Sequence, residues 1–272
     1  MRKFSHLLIL LVLIFAFITF LAGRAEAPAL KLTDNQRPIP VLMYHKVNPY
    51  RSSGGKGLRV DPNEFSWQMR YLKQRGFTTI SSTDLINYLR HKKTLPKRPI
   101  LITFDDGYED NYLFAYPVMK RYGFKGVIFL VADDIGRYNV WDVKIGKQPY
   151  NKLLNWNQIM EMKRYGFEFG SHTLSHPHLA RINRTVAAYE IAESKRALEK
   201  RLGVPVTSFA YPYGNLDDDV AQMVKKAGYS CAFTTAIGPV IKTSDPYRLN
   251  RFRITGYTNR TGFITAVEGE PY

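Results

Sequence analysis

Short apolar runs alternate with amphipathic stretches from about Pro38 onward. Residues 40–44, 77–80, 99–104, 126–131, 168–170, 207–211 and 231–234 read as strands, most of them apolar enough to be buried on both faces. Helical patterns stand between them. Asp61 is placed to cap a helix, with Pro62 in its first turn and Glu64 completing a capping box; Phe65, Met69 and Leu72 then share one face. A long helix over residues 185–202 sets Ile191, Leu198 and Leu202 on one side, and a shorter one covers 217–227. Glycines 76, 123, 166 and 228 recur between a helix and the next strand, where a left-handed residue stops a helix. This alternation predicts an α/β fold with a parallel sheet under helical cover. An open doubly wound sheet and a barrel both fit, and in either the chemistry gathers at the carboxyl ends of the strands.

The first residues follow another pattern. Arg2 and Lys3 precede an apolar run from Leu7 to Ala22, and Ala25-Glu26-Ala27 supplies small residues after it. Residues 1–27 therefore read as an export signal or an uncleaved N-terminal anchor; sixteen residues of helix span about 24 Å, less than the roughly 30 Å of a bilayer core. Residues 28–37 form a polar spacer, and 38–272 are expected to be one catalytic domain. The chain has 39 Lys+Arg against 23 Asp+Glu, a net +16. Only three basic residues lie in 1–25, so the excess belongs to the exported part. A cell-wall or membrane surface is the expected anionic neighbour rather than nucleic acid. A single cysteine, Cys231, excludes an intrachain disulfide framework and a multi-cysteine metal site.

Four polar clusters follow strands. Asp105-Asp106-Gly107 comes directly after 99–104. Asp-Gly is a common turn pair, yet two adjacent carboxylates also let one bind a metal while the other handles a proton. Ser171-His172-Thr173-Leu174-Ser175-His176-Pro177-His178 places three of the six histidines within seven residues. Histidines four apart on a short helical turn suit two ligands of one ion; His178 breaks the spacing. Tyr211-Pro212-Tyr213-Gly214 leaves a third strand, and Tyr44-His45-Lys46 the first. One carboxylate and two histidines leave open positions on a zinc-like ion, the arrangement of a hydrolytic site.

Thr103-Phe104-Asp105-Asp106-Gly107 and Ser171-His172-Thr173-Leu174-Ser175-His176 resemble the first two motifs of the polysaccharide deacetylases, carbohydrate esterase family 4. The resemblance implies a distorted (β/α) barrel and metal-dependent removal of N-acetyl groups from a glycan. It makes Asp105 the base and Asp106, His172 and His176 the ligands of a divalent metal, Zn2+ first, with Co2+ or Ni2+ as alternatives. It gives the Tyr213 backbone N–H to the oxyanion. Two positions depart from the usual pattern: Ala210 stands where the third motif begins with arginine, and no histidine follows His178. Both departures resemble the deacetylases of poly-β-1,6-N-acetyl-D-glucosamine. On that likeness His45 is the general acid and Arg251 replaces the missing arginine beside Asp105. A peptidoglycan or chitin-type deacetylase is the alternative. Tyr44, Tyr108, Trp141, Tyr211 and Tyr257 are candidates for a sugar platform, residues 51–57 for a mobile loop, and the protein is expected to act as a monomer.

Overall fold

A computed structural model describes residues 38–143, 146 and 148–269. The export segment and the spacer expected over 1–37 lie outside the described residues. The chain runs β1 Val41–Tyr44, β2 Lys46–Val47, β3 Arg59–Val60, α1 Pro62–Gln74, β4 Thr78–Thr79, α2 Ser82–Leu89, β5 Pro99–Phe104, α3 Tyr116–Tyr122 and β6 Val127–Leu130. It continues through α4 Val140–Val143, α5 Trp156–Tyr165, β7 Glu168–Ser171, α6 Arg184–Leu202, β8 Ser208–Ala210, α7 Asp218–Lys226, β9 Cys231–Phe233, β10 Phe252–Arg253 and α8 Arg260–Glu268.

Every strand pairing is parallel, in the order β10-β1-β5-β6-β7-β8-β9, with β4 added beside β5. Leu249 bridges to Phe233 on one edge, and Phe252 pairs with Leu42 on the other. Residues 249–253 thus touch both edges, and the sheet curls into a distorted (β/α) barrel. That settles the choice left open by the alternation of elements.

Strand parity sorts the side chains. Ile100, Ile102 and Phe104 pack outward with Phe65, Met69 and Met119 of the helical layer. Leu101 packs inward with Val41, Phe129 and Phe233, joined by Leu85, Ile86 and Leu89 of α2. Full burial of each such side chain contributes about 1.5–3 kcal/mol. The inward row of β5 then becomes polar, Leu101 giving way to Thr103 and Asp105. Likewise Gly170 and His172 share the inward parity of β7. A Cβ on Gly170 would meet the Phe129 ring at 2.5 Å, so that position has no room for a side chain.

Asp61 caps α1 as expected, but it accepts from the Asn63 N–H, and Glu64 turns to Arg260 instead of closing a capping box. Gly123, Gly166 and Gly203 cap α3, α5 and α6 in the left-handed conformation. Residues 51–57 begin with a short 3-10 turn whose Ser53 carbonyl accepts from the buried Lys46 ammonium at 2.7 Å. No helix among the described residues is long and apolar enough to cross a membrane.

Candidate active site

Asp106, His172 and His176 converge at the carboxyl ends of β5 and β7. Their ligating atoms lie within 4.8 Å of one another, and all three residues are buried. Asp106 Oδ1 is 3.4 Å from His172 Nε2 and 3.3 Å from His176 Nε2. His172 Nδ1 lies 2.7 Å from the Ala210 carbonyl, which can only accept. Nδ1 therefore carries a proton, the state of a metal-ligating histidine held by a hydrogen bond behind it, whose Nε2 lone pair would face a bound ion. The donor set of one carboxylate and two imidazoles fits a divalent ion with open positions. Burial works against the Asp106 charge, but the two histidines hold its carboxyl well below the usual range.

The two histidines do not meet through a helical turn. β7 ends at Ser171, and Thr173 and His176 both adopt positive φ, 71° and 64°. Asp106 (φ 73°) and Tyr213 (φ 59°) do the same, so four of the five left-handed non-glycine residues among those described stand at this site. Such conformations persist where the surroundings over-determine them. Here Glu190 of α6 is the anchor. Its Oε2 accepts from the Leu174 and Ser175 N–H groups at 2.9 and 3.0 Å, and its Oε1 from the Ser175 hydroxyl at 2.6 Å. The His176 N–H donates to Thr173 Oγ1, and Ser171 Oγ to Ser194 Oγ. Glu190 and Ser194 were not singled out in the sequence. The available signal was a carboxylate beside the buried stripe of Ala187, Ile191 and Leu198.

Asp105 faces a different partner. Arg251 Nη1 and Nη2 each donate to one of its oxygens at 2.7 Å, a two-pronged pair inside the barrel. Arg251 is itself fixed by Nε to the Thr234 carbonyl at 2.9 Å and by Nη1 to Thr103 Oγ1 at 3.1 Å. Burial raises the Asp105 carboxyl, but the Arg251 charge and hydrogen bonds outweigh it and leave it below the usual range. His45, Asp105, Asp106, His172, His176 and Tyr213 line one cavity of about 290 Å³, with Leu58, Asp142, Gln148 and Arg253 among its other walls. Burial takes the His45 imidazole down to about 4, against the pull of Asp106 and Asp105. His178 stacks flat on Tyr213 at 3.9 Å.

Three platform candidates are corrected. Tyr44 and Tyr211 have the outward parity of Leu42 and Phe209 and lie in the helical layer. Tyr44 packs on Phe104 and bonds Gln68, and Tyr211 bonds the Tyr247 carbonyl. Tyr108 is fully buried, with the Lys46 ammonium 4.6 Å from its ring centre. None offers a face to a sugar. Trp141 is at the site, but its ring stacks on His176 at 4.8 Å and is almost wholly buried. It braces His176 rather than forming an open platform. Tyr257 is exposed and does not line the cavity.

A family model described as polysaccharide deacetylase matches residues 92–232. The Bacillus subtilis (strain 168) protein YxkH, named for polysaccharide deacetylase, is 30% identical over 236 residues, 87% of this chain and 78% of its own length. A Staphylococcus epidermidis protein named poly-β-1,6-N-acetyl-D-glucosamine N-deacetylase is 30% identical over 92% of this chain and 91% of its own. Among solved structures, the Streptococcus pyogenes deacetylase PplD in complex with acetate superposes with a TM-score of 0.74 at 28% identity, covering 86% of this chain and 99% of that one.

Proposed function

The chain belongs to the polysaccharide deacetylase family, and on that premise we propose that it hydrolyses acetamide groups of a cell-surface N-acetylglucosamine polymer, with poly-β-1,6-N-acetyl-D-glucosamine as substrate. The observation that carries this choice of polymer is the Arg251–Asp105 pair. Arginine reaches the carboxylate from residue 251 while Ala210 occupies the usual place, and His45 stands at the end of β1 in a chain with no histidine after His178. The Staphylococcus epidermidis relative named for this polymer supports the same reading. Action at the cell surface agrees with the export segment expected over residues 1–27.

A divalent ion on Asp106, His172 and His176, zinc in this reading, supplies a Lewis acid that polarises the acetamide carbonyl and acidifies water. The side chains of this chain then divide the proton work. Asp105, kept ionised by Arg251, takes a proton as water adds to the acetyl carbon. The Tyr213 N–H donates to the carbonyl oxygen as it gains negative charge. His45, neutral at rest because burial lowers its pKa to about 4, takes that proton over from Asp105 and delivers it to the leaving nitrogen. The C–N bond breaks as that proton reaches nitrogen, giving acetate and a free amine. The deciding experiment is acetate release from β-1,6- and β-1,4-linked N-acetylglucosamine oligomers, with metal content measured alongside. Faster turnover on the β-1,6 series is expected; turnover confined to the β-1,4 series or to peptidoglycan would transfer the enzyme to the alternative substrate class.

A further inference from the structure

Resting on the deacetylase reading above, we infer that a groove beside the catalytic cavity is a second sugar subsite, holding a neighbouring unit of the same polymer. A catalytic cavity of about 290 Å³ is at the small end of ligand pockets. A polymer must therefore leave it across the surface. A second cavity of about 220 Å³ lies next to it, walled by Asn48, Tyr50, Ser53, Glu109, Asp110 and Tyr150. The partition is one ammonium thick. Lys46 Nζ donates to the carbonyl of Ser53, in the second cavity, at 2.7 Å, and to Oε1 of Gln148, in the first, at 3.3 Å.

The chemistry of the groove is that of a pyranose site. Tyr50 is 62% exposed and Tyr150 67%. Each is braced from one side by another ring: Tyr50 by Phe114 at 6.4 Å and Tyr150 by Tyr138 at 5.9 Å, both edge to face. The rings are thus oriented, yet keep area open to solvent. An aromatic face carries partial negative charge and suits the C–H face of a sugar ring, while amides and carboxylates suit its hydroxyls. The floor provides both. Asp110 accepts from Asn48 Nδ2 at 3.2 Å and Asn111 Nδ2 at 3.1 Å, and the same Asn111 amide donates to the His45 carbonyl at 2.8 Å. The subsite floor is therefore joined by hydrogen bonds to the backbone of the proposed acid. A polar floor holding Asp110 and Glu109 argues against lipid as the occupant.

The test is steady-state deacetylation of single-unit N-acetylglucosamine and of five-unit β-1,6-linked N-acetylglucosamine by the metal-loaded protein and its Tyr50→Ala, Tyr150→Ala and Tyr150→Phe variants. Both rings are exposed, so folding is expected to survive, with thermal unfolding as the check. For the alanine variants kcat/KM on the five-unit substrate should fall about tenfold, equivalent to about 1.4 kcal/mol, chiefly through KM. The single-unit substrate, which cannot span both cavities, should change less than about twofold, and Tyr150→Phe should behave as wild type. Equal effects on both lengths, or no effect on either, overturn the subsite while leaving the deacetylase reading intact. Loss of binding to phosphatidylglycerol vesicles with unchanged length dependence also overturns it, in favour of a lipid contact. A wild-type protein that releases no acetate from any length overturns the reading on which the subsite rests.

Discussion

Asp105 and Asp106 are adjacent, both buried and both held below the ordinary carboxylate range, yet opposite partners set their roles. Asp106 meets two imidazoles and Asp105 a guanidinium, so Asp105→Asn should retain most of the metal and lose turnover. His172→Ala should lose both together in a metal titration. Arg251 opposes the burial of Asp105, and its removal lets that carboxyl titrate at higher pH. In Arg251→Gln the acid limb of the kcat/KM profile should therefore move upward, because the base is protonated over a wider range. Leaving a buried charge unpaired should also cost about 3–5 kcal/mol in thermal unfolding. His45→Ala should keep metal and fold but lose about 10²–10⁴-fold in kcat; near-wild-type activity would remove it from the mechanism. The four residues of the two contiguous motifs were legible because each motif follows a strand directly. Tyr44 and Tyr211 were not, because their strands are apolar on both faces and the sequence does not reveal which parity looks into the barrel.

The loop between His172 and His176 depends on a helix distant in sequence. Glu190 of α6 accepts three hydrogen bonds from Leu174 and Ser175, fixing a path with left-handed residues at Thr173 and His176. Glu190→Ala should weaken metal affinity about 10–100-fold, the usual effect of losing a group that orients a ligand. Glu190→Gln keeps a carbonyl acceptor and should recover most of that loss; calorimetric metal titration separates the two. The histidine spacing suggested a helical turn because residues four apart coincide on a helix. Two positive-φ residues and a side-chain anchor reach the same convergence without one, and an anchor fourteen residues past His176 leaves no local pattern. Strand positions were easier to read: β5 has the expected bounds and β1, β4, β6, β7, β8 and β9 fall within a residue of theirs, since glycine stops and apolar runs are local signals, whereas the two-residue β2 and β3 had none. Barrel closure was expected only through the family resemblance; the local pattern left it open, because it rests on residues 249–253 reaching two strands far away in sequence.

Across the whole molecule, the inner core and the reacting groups form one column. Phe129 and Phe233 pack at 5.5 Å, and the Arg251 guanidinium carbon lies 5.7 and 5.9 Å from their ring centres. Phe129→Ala should therefore cost about 3–5 kcal/mol by opening a cavity and also lower kcat, since the arginine loses part of its support. Thermal unfolding and turnover measured on the same sample would show whether the two losses travel together. The position of Arg251 after Asp105 in the chain adds a consequence in time. Its contact with Asp105 spans 146 residues of sequence, and a chain is synthesised from its N-terminus. Until residue 251 is in place, Asp105 lacks its countercharge, so the Arg251–Asp105 pair forms only as the ring closes. In pulse-labelled hydrogen exchange during refolding, amides of β5 and β6 should gain protection before the Arg251 N–H, which donates to the Ala236 carbonyl at 2.9 Å. Under the proposed mechanism the base would gain its countercharge only with the completion of the ring.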